Sequence, residues 1–122
     1  MYRIFHLNKC RKEDLENGRG WMVRLVNPGL GTDNLDVHLN ILNPGGQRGR
    51  LHRHTNSDNV YIVKRGTAEL VAEGERRIIG ENDVVFIPAG LRHSLSNTGE
   101  GSFEVFEIYA PAGDRFDFIA EE

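Results

Sequence analysis

What most limits the folds open to this chain is a succession of short β-branched and aromatic segments, each closed by turn-forming residues. Leu35-Asp36-Val37-His38-Leu39-Asn40-Ile41 alternates apolar and polar side chains with period two, and Phe103-Glu104-Val105-Phe106-Glu107-Ile108-Tyr109 does so in part. Between them lie Val60–Val63, Thr67–Val71, Arg77–Ile79 and Val84–Ile87, bounded by Arg65-Gly66, Glu73-Gly74-Glu75, Gly80-Glu81-Asn82-Asp83 and Ala89-Gly90. Glycine and asparagine tolerate the positive φ that tight turns need, so these boundaries read as turns. Short strands at even spacing predict an all-β sandwich or barrel. Only Arg11–Asn17 reads as helical, a short peripheral helix stopped at Asn17-Gly18. Tyr2–Leu7 is open to a further strand, packed at the edge or exchanged with a second subunit.

At 122 residues the chain is expected to form one domain, 1–122, with a core of about 20–110. That length buries enough surface to hold together without metal or disulfide, so a bound metal would speak for function. A formal charge of −3 lacks the basic excess that a phosphate backbone demands, which argues against nucleic acid as a partner. The longest apolar runs, Val60–Val63 and Val84–Ile87, fall far short of the roughly 20 residues that cross a bilayer, so no membrane partner is expected. Arg3 and His6 stand where a secretion signal would be apolar, and Cys10 is the only cysteine. The expected location is cytoplasmic.

Chemistry concentrates in three of the five histidines. His52-Arg53-His54 places two imidazoles on one face of a strand, near enough to share one ion at metal–nitrogen distances of roughly 2.0–2.2 Å. A third imidazole must come from a neighbouring strand, and His93, after Pro88-Ala89-Gly90, can supply it across the barrel. By itself an H-x-H pair is also consistent with two surface histidines.

Gly46, five residues, His52-x-His54, four residues, Asn59, six residues and Gly66 resembles the first motif of the cupin superfamily. Asn82, five residues, Pro88-Ala89-Gly90, two residues, His93, three residues and Asn97 resembles the second, with Asn82 in place of its first glycine. The resemblance implies a double-stranded β-helix (jelly-roll) barrel, usually a homodimer, with a divalent metal held by residues matching His52, His54, Asn59 and His93. It departs from the usual pattern at Asn59, where the motif has glutamate. An amide brings no charge, so three neutral imidazoles leave a site carrying roughly +2, open to an anionic oxygen ligand. Asn59 is open to weak coordination through its amide oxygen. Asp58 can replace the glutamate only through a bulge, because alternation aims it away. A site that has lost its metal is the remaining account.

Further candidates follow from strand parity. Tyr61 shares the face of Asn59 and would hydrogen-bond a substrate, or fill the core. Glu107, if inward, would sit among apolar groups with raised proton affinity, suited to acid or base work. His38 and Asn40 share a face that lines the barrel or meets solvent. Arg50 can guard the mouth and pair with a carboxylate, and Phe86 can wall the pocket. Three-histidine iron sites resemble those of cupin dioxygenases. The leading expectation is therefore a non-haem Fe(II) dioxygenase, with Mn, Ni or Zn as other ions, acting on a small oxygen-rich or anionic molecule. An isomerase or lyase using the ion as Lewis acid, and a small-ligand or sugar-binding module without turnover, are the alternatives.

Overall fold

A computed structural model of the chain describes residues 2–45, 48–112 and 118–121. Gly46 of the first motif and Glu122 lie outside the described residues. Eleven strands form among them: β1 (Lys12–Asp14), β2 (Gly20–Val26), β3 (Asp36–Leu42), β4 (His52–His54), β5 (Asp58–Arg65), β6 (Thr67–Ala72), β7 (Glu75–Gly80), β8 (Val84–Ile87), β9 (His93–Ser96), β10 (Phe103–Ala110) and β11 (Phe118–Ala120). They make two antiparallel sheets, one ordered β1-β2-β3-β10-β5-β8 and the other β11-β4-β9-β6-β7. This is the all-β architecture that the turn spacing predicts, in the double-stranded β-helix form that the cupin resemblance implies. No helix among the described residues is long and apolar enough to cross a membrane.

Period-two alternation decides what enters the space between the sheets. On β10 the inward side chains are Phe103, Val105, Glu107 and Tyr109, all buried. Their neighbours across the ladders are Leu42, Asn40, His38 and Asp36 on β3. From β5, Val63, Tyr61 and Asn59 face Val105, Glu107 and Tyr109. The inner face thus grades from apolar at the Phe103–Leu42 end to polar at the Tyr109–Asp36–Asn59 end. Tyr61, Val63, Leu70, Ile79, Ile87, Leu95, Phe103 and Val105 close the apolar end. Each such side chain contributes about 1.5–3 kcal/mol by leaving water.

One expectation near the N-terminus fails. Arg11–Asn17 is not helical: Lys12–Asp14 pairs with Trp21–Val23 as β1, and only a single 3₁₀ turn, Glu16–Gly18, follows. The segment has one apolar side chain, Leu15, to pack on the core, so ladder hydrogen bonds outweigh its helix propensity. Residues 2–6 form no strand, and Tyr2 and Ile4 are exposed. Phe86 is likewise corrected. It is 62% exposed on the edge strand β8, because its parity pairs it with Val60 on the outer face while Ile87 points in opposite Asn59. Asn82 does take φ +70, the turn conformation expected of a residue standing in for glycine.

Entry into β2 is the tightest backbone approach. Gly20 has φ +142, and a Cβ there would lie 1.9 Å from the Ile41 carbonyl oxygen. Gly20→Ala is expected to cost about 3 kcal/mol or more, seen as a lower urea midpoint with unchanged slope. An unaltered midpoint would show that β2 can start without this approach.

Candidate metal centre and its pocket

β4 delivers His52 and His54 to one face, and β9 delivers His93 directly beside His52 in the ladder. The third imidazole therefore comes from the adjacent strand of the same sheet, not from across the barrel. One ring nitrogen from each of the three lies within 4.8 Å of the others, and ring centroids are 4.3 Å (His52–His93), 5.0 Å (His52–His54) and 5.5 Å (His54–His93) apart. Backbone carbonyls orient two of the rings. His52 Nδ1 lies 2.7 Å from the Arg50 oxygen and His93 Nδ1 lies 2.9 Å from the Leu91 oxygen. An N–H donated there leaves Nε2 with its lone pair, and the buried Nε2 of His93 has no hydrogen-bond partner.

Their electrostatics suit a cation. Burial, then the neighbouring His93, lowers His52 from the ordinary 6.5 to about 4. Burial lowers His93 as well. Neutral imidazoles are what a divalent ion requires. The orphaned Nε2 and the donor set together fit a divalent metal held by His52, His54 and His93.

Asn59 points inward and is fully buried, and its side chain interacts with the Tyr61 hydroxyl. Asp58 is corrected as a replacement ligand: it is exposed, its carboxylate accepts from the Ala89 N–H at 3.0 Å, and β5 pairs with β8 through Asn59 without a bulge. Arg53 and Arg92 point outward to Glu121.

Beside the histidines is a cavity of about 150 Å³ lined by His38, Asn40, Arg50, Tyr61 and Glu107. The volume is well below the roughly 300–1,000 Å³ of sites for drug-sized ligands, so only a small molecule fits. Tyr61 is 1% exposed and its ring lies 6.2 Å from His93. Arg50 sits at the mouth, 3.9 Å from Glu16 and 6.0 Å from the Phe118 ring.

Glu107 enters the barrel, as one of the two registries required, but its surroundings are not apolar. Asn40 donates to it at 2.5 Å and the Tyr109 hydroxyl at 2.6 Å, while His38 Nε2 lies 3.8 Å away. Behind His38, Nδ1 meets Asp36 at 3.0 Å, and Arg24 meets Asp36 at 3.3 Å. Burial alone would raise the Glu107 carboxyl, yet His38 and the Tyr109 hydroxyl outweigh it and bring it from 4.5 to about 2. The expected raised proton affinity is therefore overturned. His38 moves the other way: burial would lower it, but Asp36 and Glu107 raise it above 6.5. Burial and the Glu107 charge hold Tyr109 protonated.

Sequence reasoning missed Tyr109 and Arg19 as pocket residues and Asp36 as the partner of His38. Asp36 and Tyr109 carried a signal, because Asp36-x-His38-x-Asn40 and Glu107-x-Tyr109 place polar groups at successive positions of one strand face. Arg19 carried none.

A family model for the cupin domain matches residues 38–109. A 60-residue segment is 35% identical to a mannose-1-phosphate guanylyltransferase of Salmonella montevideo, covering 49% of this chain but 13% of that protein. The chain thus spans a small part of that relative. A predicted oxalate decarboxylase from Thermotoga maritima superposes with TM-score 0.81 at 23% identity, covering 89% of this chain and 99% of the other. The polyketide cyclase RemF from Streptomyces resistomycificus does so with TM-score 0.79 at 18% identity, covering 90% and 80%. At these identities the likeness shows a shared fold.

Two predictions follow from the geometry. Replacing any one of His52, His54 or His93 by alanine should weaken metal binding by about 100-fold or more, since removal of mere supporting partners already costs 10–100-fold; competition with a chelating dye reads this. The His38–Glu107 pair should add stability that is whole between pH 4.5 and 6.5, the ordinary values of the two groups. It is lost above that window as His38 deprotonates through its raised pKa, and below it as Glu107 approaches about 2. The urea-midpoint difference between wild type and a His38→Gln/Glu107→Gln protein should peak inside the window; a difference flat with pH would refute the pairing.

Proposed function

This chain belongs to the cupin domain family, and from that premise we propose that it is a metal-dependent enzyme acting on a small, oxygen-rich, anionic molecule. The observation that carries the reading is the neutral donor set. Three imidazoles converge, Asn59 contributes no charge, Asp58 faces outward, and Glu107 is not part of the cluster. A divalent ion held by His52, His54 and His93 would keep its full charge and open positions, and would polarise an oxygen-bearing substrate or support redox chemistry.

The chain's own groups then divide the remaining work. Tyr61 offers a buried hydroxyl that burial keeps protonated, suited to donating a hydrogen bond to a substrate oxygen. Glu107 is held ionised and accepts from Asn40 and Tyr109, which keeps those groups in one orientation. The apolar side chains packed at the other end of the barrel close the cavity on that side.

For the reaction type, dioxygenation with Fe(II) is the finer reading. A carboxylate at about 2 is a weak proton acceptor at neutral pH, which disfavours mechanisms that need Glu107 as general base. A second reading, isomerase or lyase chemistry with the ion as Lewis acid, draws support from His38, whose raised proton affinity beside Glu107 suits a proton donor. Metal identity separates the two. Protein loaded anaerobically with Fe(II) is expected to consume O₂ with a member of a panel of diketones, thiols and hydroxyaromatic acids, and the zinc form to be inactive. Full turnover with Zn(II) would refute dioxygenation and favour the second reading.

A further inference from the structure

The turn that replaces the expected helix has a consequence inside the barrel. Asn17 (φ +58) and Gly18 (φ +68) both take left-handed backbone, and the chain is then tied on both sides of Arg19. Leu15 N–H donates to the Gly20 oxygen at 2.9 Å, and Asn43 N–H donates to the Arg19 oxygen at 2.7 Å. From this anchored position the side chain runs to the second sheet, where Nη2 donates to the Leu95 carbonyl of β9 at 3.2 Å. Position 49 has to be glycine for it to pass: a Cβ there would lie 2.2 Å from the Leu95 oxygen and 3.1 Å from Arg19 Nη2.

Arg19 lines the same small cavity as His52, His54, Tyr61 and Glu107. It differs from the other cations nearby. Arg24 is paired with Glu13 and Asp36, and Arg50 lies near Glu16. Arg19 forms no ion pair among the described residues, and one backbone carbonyl uses one of its five N–H donors. A half-buried guanidinium without a carboxylate, beside a cavity, is electrostatically incomplete. Its planar donor array matches a carboxylate in a way that an ammonium does not.

We propose that Arg19 is the anion-recognition residue of the pocket, taking one carboxylate of a small organic acid whose other oxygen-bearing end faces the three-histidine cluster. This rests on the metal-dependent reading above for the second half of the statement only. Glu107, ionised on the wall of the same cavity, repels a carboxylate placed beside it, which directs the acid group toward Arg19. The cavity of about 150 Å³ suits a small acid.

The test is calorimetric binding of acetate, oxalate and malonate, with malonamide as neutral control, to zinc-loaded and metal-free protein. Wild type is expected to bind at least one of the three acids and to prefer malonate over malonamide. Arg19→Gln should weaken acid binding about 10- to 100-fold in both forms, as expected for loss of charge-assisted hydrogen bonds, with zinc content unchanged. Arg19→Lys, which retains charge without the planar donor array, should fall between, and it serves as the decisive variant if Arg19→Gln does not fold. Arg76→Gln, on the exposed edge strand, should match wild type. The proposal is overturned if no acid binds wild type, or if Arg19→Gln binds acids as wild type does. Absence of bound zinc together with Arg19-dependent acid binding would uphold the recognition role while removing the metal reading.

Discussion

The register of β10 between β3 and β5 is the constraint on which the site depends. A one-residue slip would exchange Phe103, Val105, Glu107 and Tyr109 for Glu104, Phe106 and Ile108 on the inner face. Ladders on both sides of β10 hold it in place, with Glu107 opposite His38 on one side and Tyr61 on the other. The shift in register at Glu104/Val105 falls outside this polar stretch. The same alternation that closes the apolar end therefore assembles the strand-borne part of the polar end.

The inward histidines divide into two chemical kinds according to their neighbours. His52 and His93 have backbone carbonyls at Nδ1 and like groups beside them, so burial leaves them neutral and basic toward a metal. His38, buried as fully as His93 and more than His52, has a carboxylate at each nitrogen and is driven toward the charged form. Depth alone does not set the protonation state. The groups at the two ring nitrogens do, Asp36 of the same strand and Glu107 of β10 for His38 against backbone carbonyls for His52 and His93, and they separate a ligand imidazole from a charge-carrying one inside the same barrel.

Much of this was readable in the sequence because it follows from period two. The strands from Asp36 to Ala110, the pairing of His52 with His54, the inward aim of Asn59 and Tyr61, and the outward aim of Arg53 all depend on parity alone. What escaped depends on contacts between distant segments. Lys12–Asp14 became a strand because Trp21–Val23 lies alongside. The proton affinity of Glu107 is set by His38, on another strand, so a reading of β10 by itself assigned the wrong sign. Phe86 was assigned to the pocket by residue type, and its parity on the edge strand β8 turns it outward instead. Arg19 enters the cavity through a turn and a gap at Gly49, features that leave no periodic trace.

Asn59 connects the two halves of the site. It pairs in register with Tyr109, one rung from Glu107. A glutamate at position 59 would set a second carboxylate close to the first in a dry interior, where like charges resist joint ionisation. With an amide there, Glu107 keeps its negative charge against His38, and the metal cluster keeps a neutral set of donors. The charge absent from the ligand set is thus present elsewhere in the barrel, across the cavity from the imidazoles, where it shapes the field that an incoming acid meets without neutralising the cation.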